Sequence, residues 1–235
     1  MYTEGKHHSG TEQREPRSGP LNDRAFRERI STPEAFKSEH ARRPRLLALE
    51  RAEHNSGGQN VLEHTRQVLL HLKTDGIPGA KALGTTTEVP ELLRMVALYH
   101  DLDKVSDVGR ALGKKDAMRE AVQEIRDVDP SFFKTEADEK VFCLLLQTCD
   151  YFGYNLGILE KLGDVFRSEI MDLLEKRLLE PIEALAEEGI DLDPEDVLWL
   201  QYELSRADTS GIERLKKNVG LIDRFYEELV KTLSY

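Results

Sequence analysis

The stretch Leu92-Leu93-Arg94-Met95-Val96-Ala97-Leu98-Tyr99-His100-Asp101-Leu102-Asp103-Lys104 decides the fold. Its apolar members Leu92, Leu93, Val96, Tyr99 and Leu102 recur at the steps of a helix with one buried face. That period predicts a helix from Glu88 or Val89 to Lys104, with Pro90 near its start. At about 100° per residue, His100, Asp101 and Lys104 fall on one arc of it, beside the apolar stripe. A His-Asp pair at the edge of a core is the residue chemistry that binds a divalent cation through nitrogen and oxygen. Adjacent residues cannot enclose an ion, so further ligands have to come from other helices.

The same period runs outward from this stretch in both directions. The expected helices are Asp23–Ile30, Pro33 to about Arg51, Val61–Lys73, Lys114–Val128, Thr135–Tyr151 and Leu156–Leu162. A long one from Asp164 is interrupted at Pro181, with a kink or break near Glu180. Asp193-Pro194 opens a helix to Asp208, and the last runs from about Gly211 to Leu233. Thr32 before Pro33, and Asn60 before Val61, are good N-caps. No strand pattern or internal repeat is present, so the fold class is all-α, a single helical bundle domain over 21–235. Residues 1–20 are polar and aperiodic and read as a disordered leader. Leu221, Phe225, Leu229 and Leu233 share a face of the last helix that closes the core. Trp199, Tyr202, Phe225 and Tyr226 read as packing residues.

Composition narrows the function. The 235 residues carry 33% charged and 7% aromatic side chains and a net charge of -11. This charge argues against broad nucleic-acid binding, which needs a basic face. Residues 1–51 hold 11 Lys/Arg against 8 Asp/Glu, which leaves room for a local phosphate groove. No apolar run approaches membrane-spanning length, and no signal-peptide core is present. A cytoplasmic location is expected. Cys143 and Cys149 read as two small thiols in a reducing compartment. No glycine-rich phosphate loop, CxxC pair or nucleophile elbow occurs.

Two residues complete the candidate metal set. His64 lies on the shoulder of the stripe Val61, Leu62, Val68, Leu69 and Leu72. Asp208 continues the apolar stripe Val197, Leu200 and Leu204, where a carboxylate without a cation is costly. Asp208 has a second reading, as the end of its helix capping the next through Thr209-Ser210-Gly211. His7 and His8 read as a solvated tail pair, His71 as a core or surface residue, and His40 and His54 as exposed.

The order His64, His100-Asp101, Asp208 resembles the H…HD…D pattern of the HD superfamily of metal-dependent phosphohydrolases. Ala97-Leu98-Tyr99-His100-Asp101-Leu102-Asp103-Lys104 is similar to that family's apolar-H-D-I-G-K segment. Glu63-His64-Thr65 with Val68-Leu69 resembles the start of the HD domain of bacterial CCA-adding enzymes. The resemblance covers about residues 55–215 and implies a free-standing HD domain. It implies metal ligation by His64, His100, Asp101 and Asp208, and hydrolysis of a nucleotide-like phosphomonoester or phosphodiester by a metal-activated water. Asp101 and Asp103 would orient or deprotonate the water, and Lys104, with Arg110 as a further candidate, would bind the phosphate.

Two departures shape what the resemblance implies. Asp103 stands where the pattern has glycine and adds negative charge beside Lys104. His100 is the last histidine, whereas two-metal members use further histidines between the HD pair and the final Asp. One divalent ion (Mn, Fe, Co, Ni or Mg) is therefore expected, and Asp150 is a candidate partner at its edge. The alternative reading is a non-catalytic HD-like helical module that binds or senses a nucleotide.

Overall fold

The computed structural model describes residues 21–53, 58–74, 77, 83–104, 106–107, 110–111, 113–152 and 174–233. The leader, the helix expected over Leu156–Leu162 and the first part of the long helix from Asp164 lie outside the described residues. The architecture is all-α, as expected. Its helices are α1 (Leu21–Arg29), α2 (Pro33–Glu39), α3 (Pro44–Ala48), α4 (Val61–His71) and α5 (Val89–Tyr99), then α6 (Lys114–Val128) and α7 (Glu136–Gln147). After these come α8 (Glu180–Glu187), α9 (Pro194–Ser210) and α10 (Val219–Leu233). Strand pairing among the described residues is confined to a small antiparallel hairpin, β1 (Ser106–Asp107) with β2 (Arg110–Ala111), and a single bridge between Glu53 and Asn60.

Helix α9 is the axis of the bundle: it packs along α4 and α10 and touches α5 and α7. Helix α5 lies between α4 and α7, and α6 covers α7 and α3. The core they share includes Val68, Leu69, Leu92, Val96, Phe142, Leu145, Leu200 and Leu204, all 2% exposed or less. Phe225 and Leu229 of α10 are also buried, with Leu221 and Leu233 packed at the margin, so this face closes the core. Tyr202 stacks on Tyr226 with ring centroids 4.3 Å apart, which confirms their packing role.

Several helix ends differ from the sequence expectation, each for a local reason. The stretch Pro33–Arg51 divides, because Pro44 lacks an N–H and holds Arg43 out of the α region (φ -112°, ψ 77°). The interruption expected near Glu180 takes the form of a change of winding and not of a chain break. The chain winds in wider π form over Glu175–Leu179, with the Glu180 N–H donating to the Glu175 carbonyl, and resumes α at Glu180 just before the proline. The segment expected to start at Gly211 opens as a 3-10 turn, Glu213–Asn218, before α10. Helix α5 stops at Tyr99 rather than Lys104, and Leu102–Lys104 form a separate 3-10 turn. His40 is half-buried against Phe36, at 4.7 Å between rings, rather than exposed.

Two buried carboxylates pin α5 at its ends. Asp138, fully buried, accepts from the backbone N–H groups of Thr86 (2.7 Å), Thr87 (3.1 Å), Lys134 (2.8 Å) and Thr135 (2.9 Å), joining the approach to α5 to the start of α7. Glu124 of α6 accepts from the Tyr99 hydroxyl at 2.7 Å and from the backbone N–H groups of Arg45 (2.6 Å) and Leu46 (3.2 Å). Arg43 donates to the same Tyr99 oxygen at 3.0 Å. The last residue of α5, one before His100, is thereby fixed from two sides. Replacing Glu124 with Gln keeps the shape and removes the charge from buried donors. We expect a loss of about 1–3 kcal/mol of folding stability, measured by urea unfolding.

Candidate metal centre

Each ligand candidate is delivered by a different local device. Asn60 caps α4 by accepting from Glu63 N–H at 2.8 Å, which starts the helix one turn before His64. Arg66 clamps α4 in place, paired with Glu63 (2.6 and 2.8 Å) and donating to the carbonyls of Ile30 (3.2 Å) and Ser31 (2.8 Å). His100 ends α5 itself: its Nδ1 lies 2.8 Å from the Ala97 carbonyl, supplying a last-turn acceptor with a side-chain donor. That local bond explains why the helix stops where apolar periodicity alone would carry it onward. The chain then turns, and Lys104 folds back on Asp101 with Nζ 2.5 Å from Oδ1 and its N–H 3.0 Å from the Asp101 carbonyl.

Asp208 reaches the centre because α9 and α4 approach unusually closely. A Cβ at Gly211 would stand 3.3 Å from the backbone N and the Cγ2 of Val68 and from the Asp208 carbonyl. Only glycine leaves that contact unstrained. Asp208 therefore faces His64 rather than capping the following turn through its side chain.

The result is one cluster of nitrogen and oxygen atoms. His64 Nε2 lies 2.7 Å from Asp208 Oδ1, 3.4 Å from His100 Nε2 and 3.7 Å from Asp101 Oδ2. His100 Nε2 lies 3.4 Å from Asp101 Oδ2 and 3.5 Å from Asp208 Oδ1. Bonds of about 2.0–2.2 Å to one ion put neighbouring ligands roughly 2.8–3.6 Å apart, from octahedral to tetrahedral angles. Three of the five separations fall inside that range; the His64–Asp208 contact at 2.7 Å is a hydrogen bond just below it, and His64–Asp101 at 3.7 Å lies just above it. Among the described residues, His64, His100 and Asp208 form a metal-capable group, and Asp101 borders it through Oδ2. The side chains of His64, His100 and Asp101 are 0%, 6% and 8% exposed, while Asp208 at 36% faces outward in part.

Charge in the cluster is set by two carboxylates facing two imidazoles. Burial alone would push the His100 imidazole down, but Asp101 and Asp208 outweigh it and hold it up at about 9. Burial pushes His64 below its ordinary value against the pull of Asp208. Asp208 is held far below the carboxylate range: burial opposes this, and the bonds to His100 and His64 prevail.

A cavity of about 680 Å³ opens beside the cluster, with His100 and Asp103 on its wall. Tyr99, Ala117, Met118, Leu146, Tyr151 and Pro181 give it an apolar floor, and Lys114, Lys115, Lys176 and Arg177 bring positive charge to its rim. This is the size of an ordinary small-molecule site. Lys114 pairs at 2.7 Å with Asp150, which is 54% exposed, so Asp150 belongs to the rim and not to the cluster. Burial, and then Asp101, raise the Asp103 carboxyl above its usual range. The Tyr151 hydroxyl is buried with no hydrogen-bond partner among the described residues. Cys149, buried and free, places its thiol 3.9 Å from the His100 carbonyl.

The four ligand candidates thus converge, and Asp103 lies beside them. Lys104 is engaged with Asp101 and is not among the residues lining the cavity. Arg110 lies in β2, and its side chain is outside the described residues. The rim cations and Tyr151 come from α6, the segment after α7 and the π turn before α8. Gln59, whose amide nitrogen lies 3.3 Å from His64 Nδ1, also went unmarked by any motif. Comparison with protein-family models, with curated proteins and with solved structures returns no match. Among the described residues, no helix is long and apolar enough to cross a membrane.

The pH response of the metal-free protein follows from these charges. His100 binds its proton more tightly folded than unfolded. Its contribution to stability is full below the unfolded value of about 6.5 and lost as pH rises through about 9. Asp208 contributes above the ordinary carboxylate pKa and loses that contribution as pH falls below it. The melting temperature of metal-free protein is expected to decline between pH 6.5 and 9, and His100→Gln to flatten that decline. An unchanged slope in the variant would remove His100 as its source.

Proposed function

We propose that the chain is an HD-type metal-dependent phosphohydrolase acting on a nucleotide-like phosphomonoester or phosphodiester. The observation that carries this reading is the juxtaposition of the His64–His100–Asp101–Asp208 cluster with a cavity whose rim gathers four cationic side chains. The donor set, two imidazoles and two carboxylates, suits one divalent ion of the Mn, Fe, Co, Ni or Mg kind. Such an ion supplies Lewis-acid polarisation of a phosphoryl oxygen and lowers the pKa of water.

The chain's own residues do the rest. Lys104 holds Asp101 through Oδ1, which leaves Oδ2 turned toward the histidines. Lys114, Lys115, Lys176 and Arg177 offset the charge of the phosphate and orient it toward His100. Asp103, with its raised pKa and its place on the cavity wall, accepts the proton of the attacking water. The apolar floor receives the flat body of the substrate, and the Tyr151 hydroxyl meets a polar group on it.

The test is phosphate or nucleoside release from a panel of nucleotides, with and without added Mn²⁺, Co²⁺ or Ni²⁺. We expect metal-dependent turnover, abolished in Asp101→Ala, and a fall in kcat/KM of about tenfold in Tyr151→Phe, the worth of one hydrogen bond. Binding of nucleotides without turnover under any metal would overturn the enzyme reading in favour of a binding or sensing module.

A further inference from the structure

The two histidines of the centre have opposite kinds of partner at Nδ1. His100 Nδ1 faces the Ala97 carbonyl at 2.8 Å. A carbonyl only accepts, so Nδ1 carries a proton and, in the neutral ring, Nε2 presents its lone pair to the cluster. His64 is the reverse case. Its Nδ1 lies 3.3 Å from Gln59 Nε2, and the same amide nitrogen donates to the Gly211 carbonyl at 3.2 Å. The Gly211 carbonyl fixes which end of the amide is NH2, independently of the imidazole. An NH2 group against Nδ1 requires Nδ1 to accept. The His64 proton therefore sits on Nε2 and is donated to Asp208 Oδ1 at 2.7 Å. An imidazole protonated on Nε2 has no lone pair there for a cation.

We propose that Gln59 is a positioning residue that, with Asp208 on the opposite ring nitrogen, holds His64 in its Nε2-protonated tautomer, and that loading the centre with a divalent ion requires the Gln59 amide to turn over. This rests on the metal-centre reading given above. When His64 ligates through Nε2, that nitrogen gives up its proton and Nδ1 gains one, so the ring stays neutral. Nδ1–H then needs an acceptor, and the turned amide offers Oε1. The cost is the bond from Gln59 to Gly211, since two oxygens now face each other. The backbone cannot shift to restore it, because Gly211 is packed against Val68 and the end of α9. Occupancy of the centre is thereby coupled to one hydrogen bond between the approach to α4 and the end of α9.

The experiment is nitrogen-15 NMR of the histidine rings in the full chain, metal-free and after titration with Zn²⁺ alone, for wild type and Gln59→Glu. In metal-free wild type, His64 Nδ1 is expected to be bare; on Zn²⁺ loading it becomes protonated, and the Gln59 NH2 protons lose their protection from solvent exchange. In Gln59→Glu, a group that only accepts faces Nδ1, so Nδ1 is protonated before any metal is added. Zn²⁺ then binds about tenfold more tightly or better, the usual scale for such a supporting bond.

A protonated Nδ1 in metal-free wild type overturns the proposal, and that measurement stands even if the variant fails to fold. Equal Zn²⁺ affinity in two folded proteins overturns the coupling. Zn²⁺ uptake by neither protein, with Nδ1 switching between them as expected, overturns the metal-centre reading and leaves Gln59, with Asp208, as the pair that sets the tautomer.

Discussion

The contact between His64 Nε2 and Asp208 Oδ1, 2.7 Å long and spanning 144 residues of sequence, is the constraint on which the rest depends. A carboxylate brought to the edge of a helical core, with part of its surface removed from water, is stabilised by donors or a cation there. Where α9 meets α4, Gly211 allows a close approach that a Cβ would crowd at 3.3 Å. At the end of α5, His100 and Asp101 complete the cluster. Lys104 and Gln59 then hold those groups from behind, one on Asp101 and one on His64.

The same constraint explains why the site lies at a junction and not on one helix. No single element carries more than the adjacent pair His100-Asp101, so the cluster exists only when α4, α5 and α9 are all in register. Glu124 and Asp138 serve that register from a distance, fixing the two ends of α5 through Tyr99 and through the approach loop. Their burial is costly in isolation, and five or more polar contacts offset it between them. The cavity follows from the geometry at the end of α5: where the chain turns away after Tyr99, α6 and the end of α7 leave space beside His100.

How much of this was legible in the sequence differs by kind of feature. The all-α class was readable because apolar period survives in every long segment. The four clustered residues were readable because their types are rare at core-edge positions. Helix ends were not. The stop at Tyr99 depends on the His100 ring reaching the Ala97 carbonyl, and Leu102 keeps the apolar period going past it. Pro44 did carry a visible signal, the loss of a backbone donor, that the expected helix to Arg51 ignored. Gln59 had none, since a glutamine beside a glycine-rich loop shows nothing until Gly211 is brought to it from 152 residues away. Lys114, Lys115, Lys176 and Arg177 were individually ordinary surface charges, and only the fold makes them neighbours. Lys104 was marked for phosphate and is found holding a carboxylate.

The central claim, that two imidazoles and two carboxylates hold a single divalent ion, is tested most directly by X-ray absorption at the cobalt edge on Co²⁺-loaded protein. The account predicts one ion per chain, with the multiple-scattering signature of two histidine rings and nitrogen and oxygen ligands at about 2.0–2.2 Å. A bound ion without imidazole scattering, or a second metal at about 3.5–4 Å, would contradict it.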